Sequence, residues 1–198
     1  MTDITYTRKP TYALYVVVTS TGTNVAKAIR VLTKMPYSHA SISATADLRE
    51  LFSFARNFKR VPLPATFNSE YVGQGLFGKF PVIPCEVYEV PVTAEQYADF
   101  LQLIDHFRAC RKQYSYSLLG LLFVKMQIER ELARKFVCSQ FVAYVLHECG
   151  VELQKPPSLF SPEDLRHVPQ AKLIYRGELN RYYQEQNAYS QPVIYSAV

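Results

Sequence analysis

Cys138 stands at the head of "KFVCSQFVAYVLHECG", Lys135 to Gly150, where a thiol, a hydroxyl and an amide precede an otherwise apolar run. A thiol becomes a nucleophile where a helix N-terminus or a neighbouring imidazole stabilises its thiolate. Cys138, Phe141, Val142, Val145, Leu146 and Cys149 recur at the three-and-four spacing of one helical face, so the cysteine turns inward. Gly150 supplies a helix end, because glycine closes a final turn in the left-handed conformation at little steric cost. Most buried cysteines are small core residues, so chemistry at Cys138 depends on a base that can reach it. Of the four histidines, His106, His147 and His167 lie among polar or charged neighbours on predicted helices or loops. His39 differs. It begins a stretch in which His39, Ser41 and Ser43 alternate with Ala40, Ile42 and Ala44, the period of a strand with two unlike faces. An imidazole fixed on a strand beside a thiol at a helix start can form a thiolate–imidazolium pair that attacks an amide or ester carbonyl.

Competing chemistries have weaker signals. "GQGLFG", Gly73 to Gly78, has the glycine spacing of a dinucleotide loop, but "KFPVIP" follows it, and its prolines oppose the helix that such a loop must open. These glycines read as loop flexibility. His106 and Cys110 lie four apart on one predicted helix face without a second pair at zinc-ligand spacing, so no metal and no cofactor is expected. No Gly-x-Ser-x-Gly elbow offers a serine nucleophile.

The elements that would position the pair can be read in order. "YALYVVVTS", Tyr12 to Ser20, has the β-branched and aromatic composition of a buried strand. Thr23 or Asn24 can cap a helix with a stripe of Val25, Ala28, Ile29 and Leu32. The histidine strand and "ELFSFAR", Glu50 to Arg56, are close enough to form a hairpin. From Asn57 to Pro84 periodicity disappears among prolines and glycines, which predicts a long loop of the kind used for binding. "CEVYEVPV", Cys85 to Val92, reads as a strand. A helix follows, with Thr93 and Gln96 at capping-box spacing. "YSYSLLGLLFVKMQIERELARK" is helical in pattern. After the Cys138 helix, "SPEDL" at Ser161 to Leu165 carries a hydroxyl cap, a first-turn proline and two acids. "AKLIYRGEL" reads as a last strand. The expected organisation is one domain over residues 1–179 and a tail over 180–198.

The 198 residues, 48% hydrophobic and 20% charged, have an ordinary globular composition. The net charge of +5 is spread over small clusters, none dense enough to call for nucleic acid, so no nucleic-acid partner is expected. Cys85, Cys110, Cys138 and Cys149 lack the spacing of a secreted disulfide framework and are expected to be reduced. The N-terminus does not have the pattern of a cleaved leader, and the longest later apolar run, Leu118 to Val124, is far too short to span a bilayer. The expectation is a cytoplasmic protein, not integral to a membrane, with membrane-surface contact left open.

"YSHASIS", "ELFSFAR", "YSYSLLGLL", "FVCSQFVAYVL" and "SPEDL", taken together from about Tyr12 to Leu179, resemble the circularly permuted branch of the papain-like superfamily. That branch holds the NlpC-type and YiiX-like proteins and is related to lecithin–retinol acyltransferase. The resemblance implies an α+β fold, an antiparallel sheet packed on helices, in which the histidine strand precedes the cysteine helix. It makes Cys138 the nucleophile and His39 the general base and acid. The family's third polar residue sits on the strand after the histidine, where this chain offers Ser53, with Glu50 near the strand's start. Tyr114 and Tyr116 match tyrosines that precede the cysteine helix in related proteins. The implied activity is that of a cysteine amidase or peptidase acting on a small peptide, amide or acyl-lipid substrate. The alternatives are a catalytically silent binding module of the same fold and a lipid-active acyltransferase or thioesterase.

Overall fold

The computed structural model describes residues 12–22, 35–56, 65–116, 124, 126–129 and 134–188. Tyr12–Thr19 forms the central strand β1, and its unbroken apolar run is explained by burial on both sides. Leu14, Val16 and Val18 face one core, whereas Val17 faces another. β1 pairs antiparallel with β2 (His39–Ser43) and with β5 (Pro84–Val92). Strands β3 (Leu51–Arg56), β4 (Ala65–Glu70) and β8 (Lys172–Glu178) complete a six-stranded sheet in the order β4-β3-β2-β1-β5-β8. Every pairing within this sheet is antiparallel. The histidine strand and its successor do form a hairpin, with Ile42 opposite Phe52.

Helices α1 (Ala94–Ala109) and α2 (Cys138–Glu148) cover one face of the sheet. Phe100, Ile104 and Phe107 of α1 and Phe141, Val142 and Val145 of α2 pack on Ile42, Phe52 and Phe54. The capping box of α1 is present as the sequence predicts, with Gln96 N–H donating to Thr93 Oγ1 at 3.1 Å and Thr93 N–H to Gln96 Oε1 at 2.9 Å. Gly150, at φ +74°, ends α2. The opposite face is covered by Phe77, Ile83 and helix α3 (Leu179–Ala188), whose Leu179 and Tyr182 are buried against Val17, Leu51 and Val87.

Three expectations need correction. Residues 57–84 are not one long loop, because Ala65–Glu70 forms the edge strand β4, pairing residue for residue with β3. Its single large apolar side chain, Phe67, left too little periodicity to reveal it. The tail expected from residue 180 begins instead as α3, whose Tyr182 hydroxyl donates to the Ala46 carbonyl at 2.9 Å; a largely polar helix needs little apolar surface when two residues anchor it. The start of "YSYSLLGLL" is not helical: Ser115–Tyr116 (β6) pairs in parallel with Lys135–Phe136 (β7). The helix expected after Thr23 and most of residues 117–133 lie outside the described residues. Among the described residues, no helix is long and apolar enough to cross a membrane.

Phe54 is 1% exposed, and its ring lies 5.1 Å from those of Phe136 and 5.2 Å from Phe141. Phe54→Ala should therefore lower the stability by about 3–5 kcal/mol, read as a fall in the urea midpoint at unchanged m-value. Leu101→Ala, at a half-exposed position, should move it by no more than about 0.5 kcal/mol.

Candidate active site

Arg134 has a positive φ of 59° and Val137 is extended at φ −94°, ψ 164°, so the chain cannot carry a helix through this region and α2 begins at Cys138. The thiol stands at the helix N-terminus, where the first backbone N–H groups lack intrahelical acceptors and the helix dipole is positive. Ser139 and Gln140 explain why polar residues follow the cysteine. Ser139 Oγ donates to the Phe160 carbonyl at 2.7 Å, and Gln140 Nε2 donates to the Ser158 carbonyl at 2.6 Å. The Gln140 amide oxygen accepts from Val137 N–H at 3.2 Å. The helix end is thus pinned to the 157–160 segment by two buried hydrogen bonds and capped by a third, with Cys138 only 5% exposed.

His39 begins β2 opposite Thr19, and Ser38 N–H donates to the Thr19 carbonyl at 3.0 Å. Its ring is buried, with Phe77 at 6.2 Å between centroids. Nε2 lies 2.9 Å from Glu70 Oε2, and Ser53 Oγ donates to the same carboxylate oxygen at 2.6 Å. The Cys138 thiol also lies close enough to the imidazole to raise it, through a hydrogen bond and through charge. Burial by itself would push the imidazole down. The Glu70 carboxylate, the hydrogen bonds to Cys138 and Glu70 and the charge of the Cys138 sulfur outweigh it and hold the ring well above its ordinary 6.5. The buried ring thus has a carboxylate on Nε2, which favours its charged form, and a thiol beside it.

Cys138 and His39 are thus together, although they lie about a hundred positions apart in the chain. Ser53 does not fill the third place as expected. The side chain on the ring is Glu70, and Ser53 supports it from behind. Glu50 points elsewhere, accepting from Arg108 Nη2 at 3.2 Å and from the Tyr71 hydroxyl at 3.2 Å. Glu70 ends an edge strand inside the segment expected to be a loop, where the Thr66-Phe67 pair among turn-forming residues is a faint local sign of a strand. Burial, then nearby carboxylates, push the Cys85 and Cys149 thiols up to about 12. His106, the candidate zinc ligand, meets the Tyr114 hydroxyl at 3.2 Å. Among the described residues, no group of three or more His, Cys, Asp or Glu side chains could hold a metal ion. Gly73 and Gly75, at φ +78° and +54°, lie in a loop that leads into a short 3₁₀ turn, Phe77–Lys79, as the flexible-loop reading expects.

Fold and site together define an α+β protein with an antiparallel sheet and a buried cysteine–histidine–glutamate cluster. No protein-family model matches the chain, and no curated protein matches it. Among solved structures, it is similar to the metalloprotein yiiX from Escherichia coli O157:H7, at 16% identity and a TM-score of 0.48, covering 84% of this chain and 97% of that one.

Because the His39 value lies above that of an unfolded chain, the pair stabilises the fold fully below about pH 6.5, and this contribution is lost as pH rises through the raised value. Glu70→Gln should bring the imidazole titration, followed by NMR of labelled histidine, down towards 6.5 and flatten the alkaline loss of stability. Ser53→Ala should produce a smaller fall of the same sign.

Proposed function

We propose that this protein is a cysteine hydrolase of the circularly permuted papain-like type, cleaving an amide or ester bond through a thioester on Cys138. The observation that carries the reading is the 2.9 Å contact of His39 Nε2 with Glu70 in a buried ring that also has the Cys138 thiol beside it. The order of the chain supports the permuted arrangement, since the histidine strand precedes the cysteine helix. Glu70 fixes the ring and favours its protonated form, which in turn favours the thiolate. The thiolate attacks the substrate carbonyl, and the negative oxygen that develops is met by the backbone N–H of Cys138 at the positive end of α2. His39 gives its proton to the departing amine or alkoxide, leaving the acyl group on sulfur. The neutral ring then takes a proton from water as the oxygen attacks the thioester. Release of the acid returns the thiolate and the imidazolium. The substrate class is a peptide, amide or acyl ester small enough to reach a nearly buried thiol.

Iodoacetamide labelling across pH, with the site of modification read by mass spectrometry, tests this directly. Cys138 should react well below the ordinary thiol range, whereas Cys85 and Cys149 should remain inert. His39→Ala should abolish that early reactivity and lower the turnover of a p-nitrophenyl ester by about 10²–10⁴-fold. Slow alkylation of Cys138 with no dependence on His39 would reduce the protein to a silent binding module.

A further inference from the structure

Glu86, on β5, is 1% exposed and carries an unusual number of partners. Its Oε2 accepts from Arg166 Nε at 2.6 Å and from the Tyr88 hydroxyl at 2.6 Å. Its Oε1 accepts from Arg176 Nε at 2.6 Å and from Arg166 Nη2 at 3.2 Å. One carboxylate needs one cation. The Arg176 side chain, 63% exposed, supplies that charge at small desolvation cost, whereas the Arg166 side chain is only 18% exposed and loses more hydration. Neutralising Glu86 therefore does not account for Arg166.

Its position does. The Arg166 guanidinium lies over the Tyr37 ring, 5.5 Å from the centroid, and Glu163 holds it from the other side. Tyr37 stands two residues before His39. Its hydroxyl is pushed up to about 12, first by burial and then by the charge of Glu86 and a hydrogen bond to it. The same stretch of chain that carries Arg166 also carries the Ser158 and Phe160 carbonyls that hold Gln140 and Ser139 beside the nucleophile. Between the two contacts the stretch is stiffened locally. Ser161 N–H donates to Asp164 Oδ2 at 2.8 Å, Asp164 N–H returns to Ser161 Oγ at 3.3 Å, and Lys155 pairs with Asp164 at 2.8 Å.

We propose that Arg166 is a positioning residue for the catalytic pair: residues 157–167 form one bracket that grips the cysteine helix through the Ser158 and Phe160 carbonyls and the approach to His39 through Arg166 stacked on Tyr37. The proposal rests on the thiol-hydrolase reading and deepens it. Arg166 touches neither sulfur nor imidazole in this scheme. It sets the distance between them by fixing the two segments against a common support.

Arg166→Gln and Arg176→Gln each remove one partner of Glu86, but only the first removes the grip on Tyr37. Arg166→Gln should slow alkylation of Cys138 by iodoacetamide at pH 7 by about tenfold or more and should lower the His39 titration midpoint, read by NMR, as the ring loosens from Glu70 and Cys138. Arg176→Gln should leave both within about twofold of the parent protein. Should Arg166→Gln fail to fold, Tyr37→Leu leaves the Glu86, Arg166 and Arg176 charges in place and carries the same expectation. Superimposable profiles for the parent and Arg166→Gln, or equal shifts for both arginine variants, would overturn the bracket. The histidine titration keeps the two ideas apart: it responds to Arg166 even if Cys138 proves unreactive in the parent protein, an outcome that would remove only the hydrolase.

Discussion

Burying an imidazole next to a carboxylate is costly unless each satisfies the other, and the 2.9 Å contact between His39 and Glu70 is the constraint around which this site is arranged. Neither partner has a place in the fold on its own. Glu70 lies at the end of an edge strand, and His39 at the start of an inner one, two positions across the sheet. Ser53, on the strand between them, donates to the carboxylate and leaves fewer of its lone pairs unpaired. The arrangement favours the charged form of a ring that has a thiol beside it. Without the carboxylate, an imidazole in the same burial would hold a proton far less readily.

The aromatic layer under the sheet gives this polar cluster a firm base. Phe54 and Phe67 from β3 and β4, Phe107 from α1 and Phe141 from α2 meet with centroid distances between 5.1 and 6.4 Å. Phe54 and Phe67 sit directly opposite each other, so the edge strand that carries Glu70 is locked to its neighbour by ring packing as well as by backbone pairing. Phe141 lies three residues into the cysteine helix. The same rings therefore fix both the carboxylate strand and the helix that begins at Cys138, and packing density converts directly into site geometry.

Much of this was legible before any coordinates. The alternation at His39–Ser43 and the stripe from Cys138 to Cys149 are strong periodic signals, each made of side chains whose burial depends on one element alone. Thr93 and Gln96 announce a helix start because a capping box is local chemistry. Glu70 was not legible for the opposite reason. Its strand holds one large apolar residue and exists because β3 offers it a partner, a relation between distant segments that no local window contains. Helix α3 was hidden in the same way, since Leu179 and Tyr182, with Tyr183 packed beside them, anchor an otherwise polar surface to the core. The placing of Ser53 failed by one strand. A hydroxyl near the histidine was visible in the sequence, but that it would hold a carboxylate instead of the ring depended on which side chain the neighbouring strand supplied.

The order of strands has a consequence for how the protein is made. β1 leaves the ribosome well before its second neighbour, β5, which begins only at Pro84. At roughly 5–20 residues per second of synthesis, one flank of an eight-residue, strongly apolar strand stays unpaired for some seconds. Until Cys138 follows much later, the histidine has its carboxylate but not its thiol. The nascent chain can close its hairpin and edge strand at once, but it brings cysteine and histidine together only after residue 138 has been made, a delay well suited to capture by chaperones that bind exposed strands.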